Sequence, residues 1–356
     1  MAQEQAWRDA ARLLDHKWAH IFGTVIPQAQ AHVARTLGLP DPSSIVFGPN
    51  THSFVVRLIS CLPQSRPIRV LTTISEFMSF ARQIARLEED GAAVVTRIAC
   101  DPFDTFEARF YDAARRDDYD LVYVSQVFFD SGFALNDLSA VVNAVSDPAT
   151  FIAVDGYHGF MAVPTDLSRI AHRAFYLAGG YKYAMAGEGV CFLYGPPDYG
   201  PRPRDTGWYA GFSALEQGNG GVPFGKDASR FFGATFDVSG LYRFNAVQDW
   251  LLRENQSVAI MLEHVRNLER LFLNEIDKLP ASIGSNNLLV PDETRRGRFL
   301  TFRTSEAAII TERLAANNII VDHRGDRLRI GFGIYHDPDD AARLAHAIAR
   351  LIPFSP

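Results

Sequence analysis

The spacing of apolar and polar positions changes character several times along this chain. Over 1–37, Trp7, Leu13, Leu14 and Trp18 recur at helical intervals, and a second apolar stripe runs from Ile26 to Leu37, predicting two helices. From residue 44 onward the pattern becomes short, nearly uninterrupted apolar runs at 44–47, 68–72, 93–96, 121–125, 151–154 and 173–178, with a further one at 190–194. Amphipathic stretches at 51–62, 76–89, 103–116 and 138–145 separate several of these runs. A strand covered on both faces has no polar side to show, so it reads as a continuous apolar run. Such strands alternating with helices predict an α/β fold with a mostly parallel seven-stranded sheet between helices.

Between 195 and 240 the pattern dissolves into Gly, Pro, Asp and aromatic residues, which reads as a long loop region. A helical stripe through Ala246, Trp250, Leu251, Ile260, Leu262, Val265, Leu268 and Leu271 then predicts one long helix over 244–279. The tail alternates again: strand 299–303, helix 306–316, strands 319–321 and 327–331, helix 341–351. The chain therefore divides on paper into an N-terminal helical segment (1–40), a large domain (41–243) and a smaller C-terminal α+β domain (244–356).

Composition narrows the class. With 47% hydrophobic and 21% charged residues among 356, the chain can fill a core and is not a disordered polymer. A net charge of -6 argues against a nucleic-acid partner, which requires a basic face. No apolar run approaches the roughly 20 residues that cross a bilayer, and the polar start is unlike a signal peptide. Cys61, Cys100 and Cys191 are too far apart for a disulfide framework or a metal knuckle, so a reducing cytoplasm is the expected location.

One bias matters more. Of 35 basic residues only Lys17, Lys182, Lys226 and Lys278 are lysines. A chain that fills its surface with arginine keeps a lysine where an amine is needed. Three of the four sit among charged or turn residues; Lys182 lies in Ala178-Gly-Gly-Tyr-Lys-Tyr-Ala-Met-Ala-Gly187, with no acid before Glu188.

Familiar motifs fail. No Gly-x-Gly-x-x-Gly follows a predicted strand, and there is no His-Glu-x-x-His or Gly-x-Ser-x-Gly. Gly220 to Lys226 has P-loop spacing, but Asp227 stands where a Ser or Thr should hold magnesium, and no strand leads in. Asp155 and His158 lack further ligands nearby, so no metal site is expected.

What remains is a constellation at predicted strand ends. Asp155 closes one core strand and is followed by Gly156, Tyr157 and His158; Lys182 follows the next strand. In an open parallel sheet, ligands bind outside the carboxyl ends of the strands, so a carboxylate and an amine would meet in one crevice. Pyridoxal 5'-phosphate needs that pair. A lysine forms a Schiff base with its aldehyde, and a carboxylate keeps its ring nitrogen protonated so that the ring accepts electrons. A third element, Phe47-Gly-Pro-Asn-Thr-His-Ser, runs from a strand into a helix start, where backbone N–H groups and the Thr51 hydroxyl would hold a phosphate.

Taken together, Val154-Asp-Gly-Tyr-His-Gly-Phe and Gly179-Gly-Tyr-Lys-Tyr-Ala-Met-Ala-Gly-Glu-Gly resemble the class V aminotransferase family of fold-type-I pyridoxal-phosphate enzymes, and within it the kynureninase-like branch. The resemblance covers about 44–336. It implies that Lys182 carries the cofactor, Asp155 pairs with its ring nitrogen, and His158 lies near its phenolic oxygen and the substrate. It further implies phosphate contacts from Thr51, His52 and Tyr181, ring stacking by Phe77 of Glu76-Phe77-Met78-Ser79, and a ring contact from Gln126. Phe232-Gly-Ala-Thr235 is similar to the segment whose threonine reaches a partner's phosphate, which implies a homodimer with the active site at its interface. Arg329 matches the arginine that grips an amino-acid substrate's α-carboxylate, and Trp208 is placed as an aromatic wall for the substrate.

The resemblance implies Cα-carbanion chemistry, either kynureninase-like hydrolytic C–C cleavage or transamination. An amino-acid C–S lyase or epimerase, a sugar aminotransferase and a non-catalytic cofactor-holding regulator are the alternatives. A desulfurase that loads sulfur onto its own cysteine is disfavoured, because no cysteine follows Cys191.

Overall fold

The computed structural model describes residues 1–116, 118–135, 137–214, 221–225 and 227–351. Gly220 and Lys226, the two ends of the P-loop-like segment, lie outside the described residues. By its contacts the chain forms two units: Met1–Gln126 with Asp137–Asn255, and Val127–Asn136 with Gln256–Pro356.

The first unit is built on a seven-stranded sheet. Its strands are β1 (Ile45–Gly48), β2 (Ile68–Thr73), β3 (Ala93–Ile98), β4 (Leu121–Ser125), β5 (Phe151–Asp155), β6 (Ala174–Gly179) and β7 (Cys191–Tyr194), in spatial order β1-β7-β6-β5-β4-β2-β3. Every residue of β1, β4, β5, β6 and β7 is buried, which is why their sequences show no alternation. At the edge, β3 is mixed, and its Val94 is 58% exposed. Parallel pairing joins β3 to β2, β2 to β4, β4 to β5 and β5 to β6. Only β7 runs against its neighbours, pairing antiparallel with both β6 and β1. All strands except β7 therefore deliver their C-terminal ends to one edge.

Helices α4 (Thr51–Ser60), α5 (Met78–Glu89), α6 (Phe103–Arg116) and α7 (Leu138–Ala144) connect them. Asn50 caps α4, its Oδ1 accepting from the Ser53 N–H at 2.9 Å. The expected start of α5 at 76 is two residues early. Phe77 is extended (φ -67°, ψ 150°), and Glu76 is held to Thr73 and Ser125 by its side chain, so the helix begins only at Met78.

The N-terminal segment is more broken than two helices. It comprises α1 (Ala2–Leu13), a 3-10 turn at Leu14–His16, α2 (Lys17–His20), a π turn at Ile21–Val25 and α3 (Ile26–Leu37). Leu14 sits at φ +51°, which ends α1. Trp18 then turns edge-on to Trp208 and Tyr209, at 5.6 and 5.8 Å between ring centroids. Helix α8 (Ser239–Arg253) belongs to this unit, so it runs through the expected boundary at 243/244. Its Tyr242 donates to Asp9 and its Asn245 to the Val25 carbonyl, joining it to the N-terminal helices.

The single helix expected over 244–279 is two. After α8, Asn255 adopts φ +53°, and Ser257 starts α9 (Val258–Ile276) by accepting from the Ile260 N–H. In the second unit α9, α10 (Ala307–Ala315) and α11 (Pro338–Leu351) accompany a three-stranded antiparallel sheet of order β8-β10-β9. Its strands are β8 (Leu300–Arg303), β9 (Asp322–Arg324) and β10 (Arg327–Ile330). The strand expected at 319–321 lies three residues later. A hairpin turn with Gly325 at φ +59° sets the register, pairing Asp322 with Arg329 and leaving Ile320 exposed. Val265, Leu268, Phe272, Leu300, Phe302, Leu328 and Ile348 form its core.

Candidate active site

The sheet's polarity assembles the site. Thr51 follows β1, Phe77 follows β2, Gln126 follows β4, Asp155 ends β5 and Lys182 follows β6, so all five leave the same edge.

Asp155 is buried and hydrogen-bonded on both oxygens. Oδ1 accepts from the Tyr157 N–H at 2.9 Å, and Oδ2 accepts from the Tyr123 hydroxyl at 2.9 Å. Burial raises its carboxyl above the usual range; those two donors and the Lys182 charge work in the opposite direction. Tyr123 is itself fixed by Phe80, stacked on it at 3.7 Å and 1°. Lys182 is half-buried among aromatic faces: its Nζ lies 4.3 Å from the Tyr157 ring centroid, 5.3 Å from Phe77 and 5.9 Å from Tyr181. The lysine and the acid thus share Tyr157, whose backbone binds one and whose ring faces the other.

Thr51 is the first residue of α4, and its N–H meets the Cys191 thiol; His52 is exposed and borders a cavity of about 760 Å³ with Met78, Ser79 and Arg82. Tyr181 is exposed, whereas His158 is buried in the turn after β5. Gln126 is more committed than the sequence suggested. Its Nε2 donates to Thr165 at 2.8 Å, and its Oε1 accepts from the Tyr176 hydroxyl at 2.8 Å.

Two glycines protect that network. A Cβ on Gly156 would lie 2.0 Å from the Tyr176 hydroxyl, and one on Gly159 would lie 2.0 Å from Gln126 Oε1. Gly156→Ala is therefore expected to lower stability by about 1–3 kcal/mol through overpacking. Gly23→Ala, where a Cβ meets nothing within 4 Å, is the control. Denaturant midpoints of the two variants check this.

Trp208 and Thr235 meet each other: the indole Nε1 donates to Thr235 Oγ1 at 3.0 Å, and the Trp208 ring packs on Trp18, Tyr209 and Phe212. Arg329 lies on β10 of the second unit. There its guanidinium pairs with Asp322 and donates to the Phe129 carbonyl, while its buried Nε has no hydrogen-bond partner among the described residues.

Sequence reasoning missed Tyr123, Tyr157 and Glu76. Tyr123 looks like any core aromatic in an apolar run; only the in-register pairing of β4 with β5 brings its hydroxyl to Asp155. Among the described residues no cluster of metal-binding side chains exists, and no helix is long and apolar enough to cross a membrane.

Comparison with known proteins gives the family and the fold. The sequence profile of the family described as aminotransferase class-V matches residues 6–344. Curated protein sequences give no match. Among solved structures, the chain is similar to the cystine C–S lyase C-DES in complex with its reaction product cysteine persulfide (16% identity, 99% of this chain, 93% of that one, TM-score 0.80). A lysine-to-alanine mutant of C-DES, with glycine covalently linked to its PLP cofactor, gives 16% identity, 98% and 92% coverage and TM-score 0.81. The apo cysteine desulfurase from Thermococcus onnurineus NA1 gives 16% identity, 99% and 91% coverage and TM-score 0.77.

Proposed function

The chain belongs to the class V aminotransferase family, and from that premise we propose that it is a pyridoxal-phosphate enzyme that cleaves a carbon–sulfur bond in an amino acid. The observation that carries the cofactor reading is the donor set at the sheet edge. An amine among aromatic rings, a buried carboxylate oriented by two donors and a helix start suit an aldehyde, a ring nitrogen and a phosphate in turn.

In this reading Lys182 holds the cofactor's aldehyde carbon and Asp155 its ring nitrogen; Phe77 covers the ring, and Thr51, His52 and Tyr181 take the phosphate. Gln126 and His158 serve the ring's phenolic side. Thr235 reaches a second copy in a homodimer, Trp208 borders the substrate, and Arg329 grips the substrate carboxylate with its planar fork. When bound, pyridoxal phosphate supplies a sink for the electron pair left at the substrate's Cα. Lys182 Nζ takes the Cα proton and is the group placed to return it. The rings of Phe77, Tyr157 and Tyr181 flank that amine. An ionised Asp155 would hold the ring nitrogen's proton by a charge-assisted bond.

Carbon–sulfur cleavage is put ahead of the kynureninase-like reading because the similar structures are a cystine C–S lyase and a cysteine desulfurase; the chain's own cysteines then bear on where the sulfur goes. All three cysteines are buried, and burial pushes the Cys61 thiol up to about 12 and the Cys191 thiol up to about 11. Neither is a nucleophile that could take sulfur at neutral pH. Sulfur would then leave with the substrate's own leaving group, as the persulfide product named for C-DES does. One observation favours kynureninase-like C–C hydrolysis as a second reading: the ring beside Lys182 that this reading assigns to stacking is a phenylalanine, Phe77, its centroid 5.3 Å from Nζ.

Borohydride treatment followed by peptide mass spectrometry is expected to find the reduced cofactor on Lys182. Cystine should then yield pyruvate, ammonia and cysteine persulfide. Alanine from kynurenine instead would establish the second reading, and an adduct on another lysine would remove the site altogether.

A further inference from the structure

We propose that Glu76 is a positioning residue for Asp155: a second buried carboxyl, kept uncharged, that ties the ends of β2 and β4 together and leaves the negative charge of the acid pair on Asp155. The inference rests on the reading of Asp155 as the partner of the ring nitrogen.

Glu76 is 2% exposed, deeper than any surface acid. Its Oε1 accepts from the Thr73 hydroxyl at 2.7 Å and from the Ser125 N–H at 3.2 Å; its Oε2 lies 2.6 Å from Ser125 Oγ. Ser125 is the register partner of Asp155 on the neighbouring strand. Glu76 thus clamps the end of the strand that lies against the acid, while the same strand's Tyr123 donates to that acid.

Two buried carboxyls that feel each other's charge resist ionising together, and their surroundings decide which keeps the proton. The surroundings here are unequal. Asp155 faces the Lys182 charge and a backbone N–H, with Tyr123, Tyr157, Tyr176 and Cys191 around it. Glu76 faces two hydroxyls, one amide, Tyr123 and the Asp155 charge, and among the described residues no cation pairs with it. The proton belongs on Glu76, whose Oε2–H can donate to Ser125 Oγ at the observed separation. In agreement, burial pushes the Glu76 carboxyl up to about 8, with the Asp155 charge adding to the rise against the Ser125 and Thr73 bonds.

The sign of the pH dependence follows. The folded chain holds a proton that the unfolded chain releases near the ordinary glutamate value of 4.5. The stability this gives is full below that value and is lost as pH rises to about 8.

The test is infrared titration of the holoenzyme. Wild type should show a protonated-carboxyl stretch at about pH 6 that bleaches as pH passes about 8, and Glu76→Gln should lack it. Glu76→Gln should keep cofactor affinity to within about tenfold, the worth of a single hydrogen bond, and should lose the decline in denaturant midpoint across this pH range. A wild-type spectrum without the band at about pH 6, or a band that persists in Glu76→Gln, overturns the proposal. The wild-type titration needs no variant, so a Glu76→Gln chain that fails to fold leaves the test intact. Asp155→Asn separates the two readings. If Asp155 does not serve the ring nitrogen, that variant leaves the cofactor's absorption unchanged while the Glu76 band remains. If only the Glu76 proposal fails, the absorption shifts and the wild-type band is missing.

Discussion

Lys182→Ala is expected to yield a protein that folds normally, binds pyridoxal phosphate only reversibly, and turns over substrate at least about 10²–10⁴-fold more slowly. That range corresponds to losing a positioned proton-transfer group alone; loss of the covalent link adds to it. Stability should fall by no more than about 1.5–3 kcal/mol. Lys182 is half-buried, and its contacts are faces of Tyr157, Phe77 and Tyr181, each worth about 0.5–1 kcal/mol near the surface. Dialysis should strip the cofactor from the variant but not from the wild type, and borohydride should leave no adduct. Lys182→Arg should fare no better despite keeping the charge, because a guanidinium does not give up its proton to become a nucleophile. Full turnover in Lys182→Ala would show that another amine does the work.

Much of the fold was legible because its physics is local. Strands β4 through β7 are buried along their whole length, so their apolar runs marked them to within a residue or two. The helix start at Thr51 was legible from Asn50 and Ser53, a side-chain cap that the structure makes at 2.9 Å. What could not be read was non-local. The contact of Tyr123 with Asp155 depends on strand register, which no single strand encodes. The pairing of Arg329 with Asp322 depends on a hairpin turn, and placing that strand at 319–321 missed it. The break between α8 and α9 was hidden because Glu254 to Ser257 interrupts an apolar stripe that continues in phase on both sides.

The site shows the same division. Lys182 and Asp155 stood out through residue type and position at strand ends, and β5 and β6 are adjacent, so sequence neighbours became spatial neighbours. Glu76 lies on a connection after β2, and it reaches Ser125 only because the sheet places β2 beside β4. A carboxyl in that setting reads in sequence as an ordinary acidic turn residue.

Asp155→Asn is the sharper probe of mechanism, because it removes a charge while preserving shape. The amide oxygen can still accept from the Tyr157 N–H, and the Tyr123 hydroxyl can rotate to accept from the amide N–H₂, so the local fold should hold. The ring nitrogen, however, would lose its ionic partner. A preorganised electrostatic contact of this kind is worth about 10²–10³ in turnover, so kcat should fall by that factor with a shift in the cofactor's absorption. Asp155→Ala should fall at least as far and also lose about 1–3 kcal/mol of stability, since it leaves two buried donors, the Tyr157 N–H and the Tyr123 hydroxyl, without an acceptor. The pair of variants distinguishes charge from packing: if the acid serves only to satisfy those donors, Asn restores turnover that Ala loses. If its charge is what the chemistry uses, Asn recovers the denaturant midpoint and nothing of the rate.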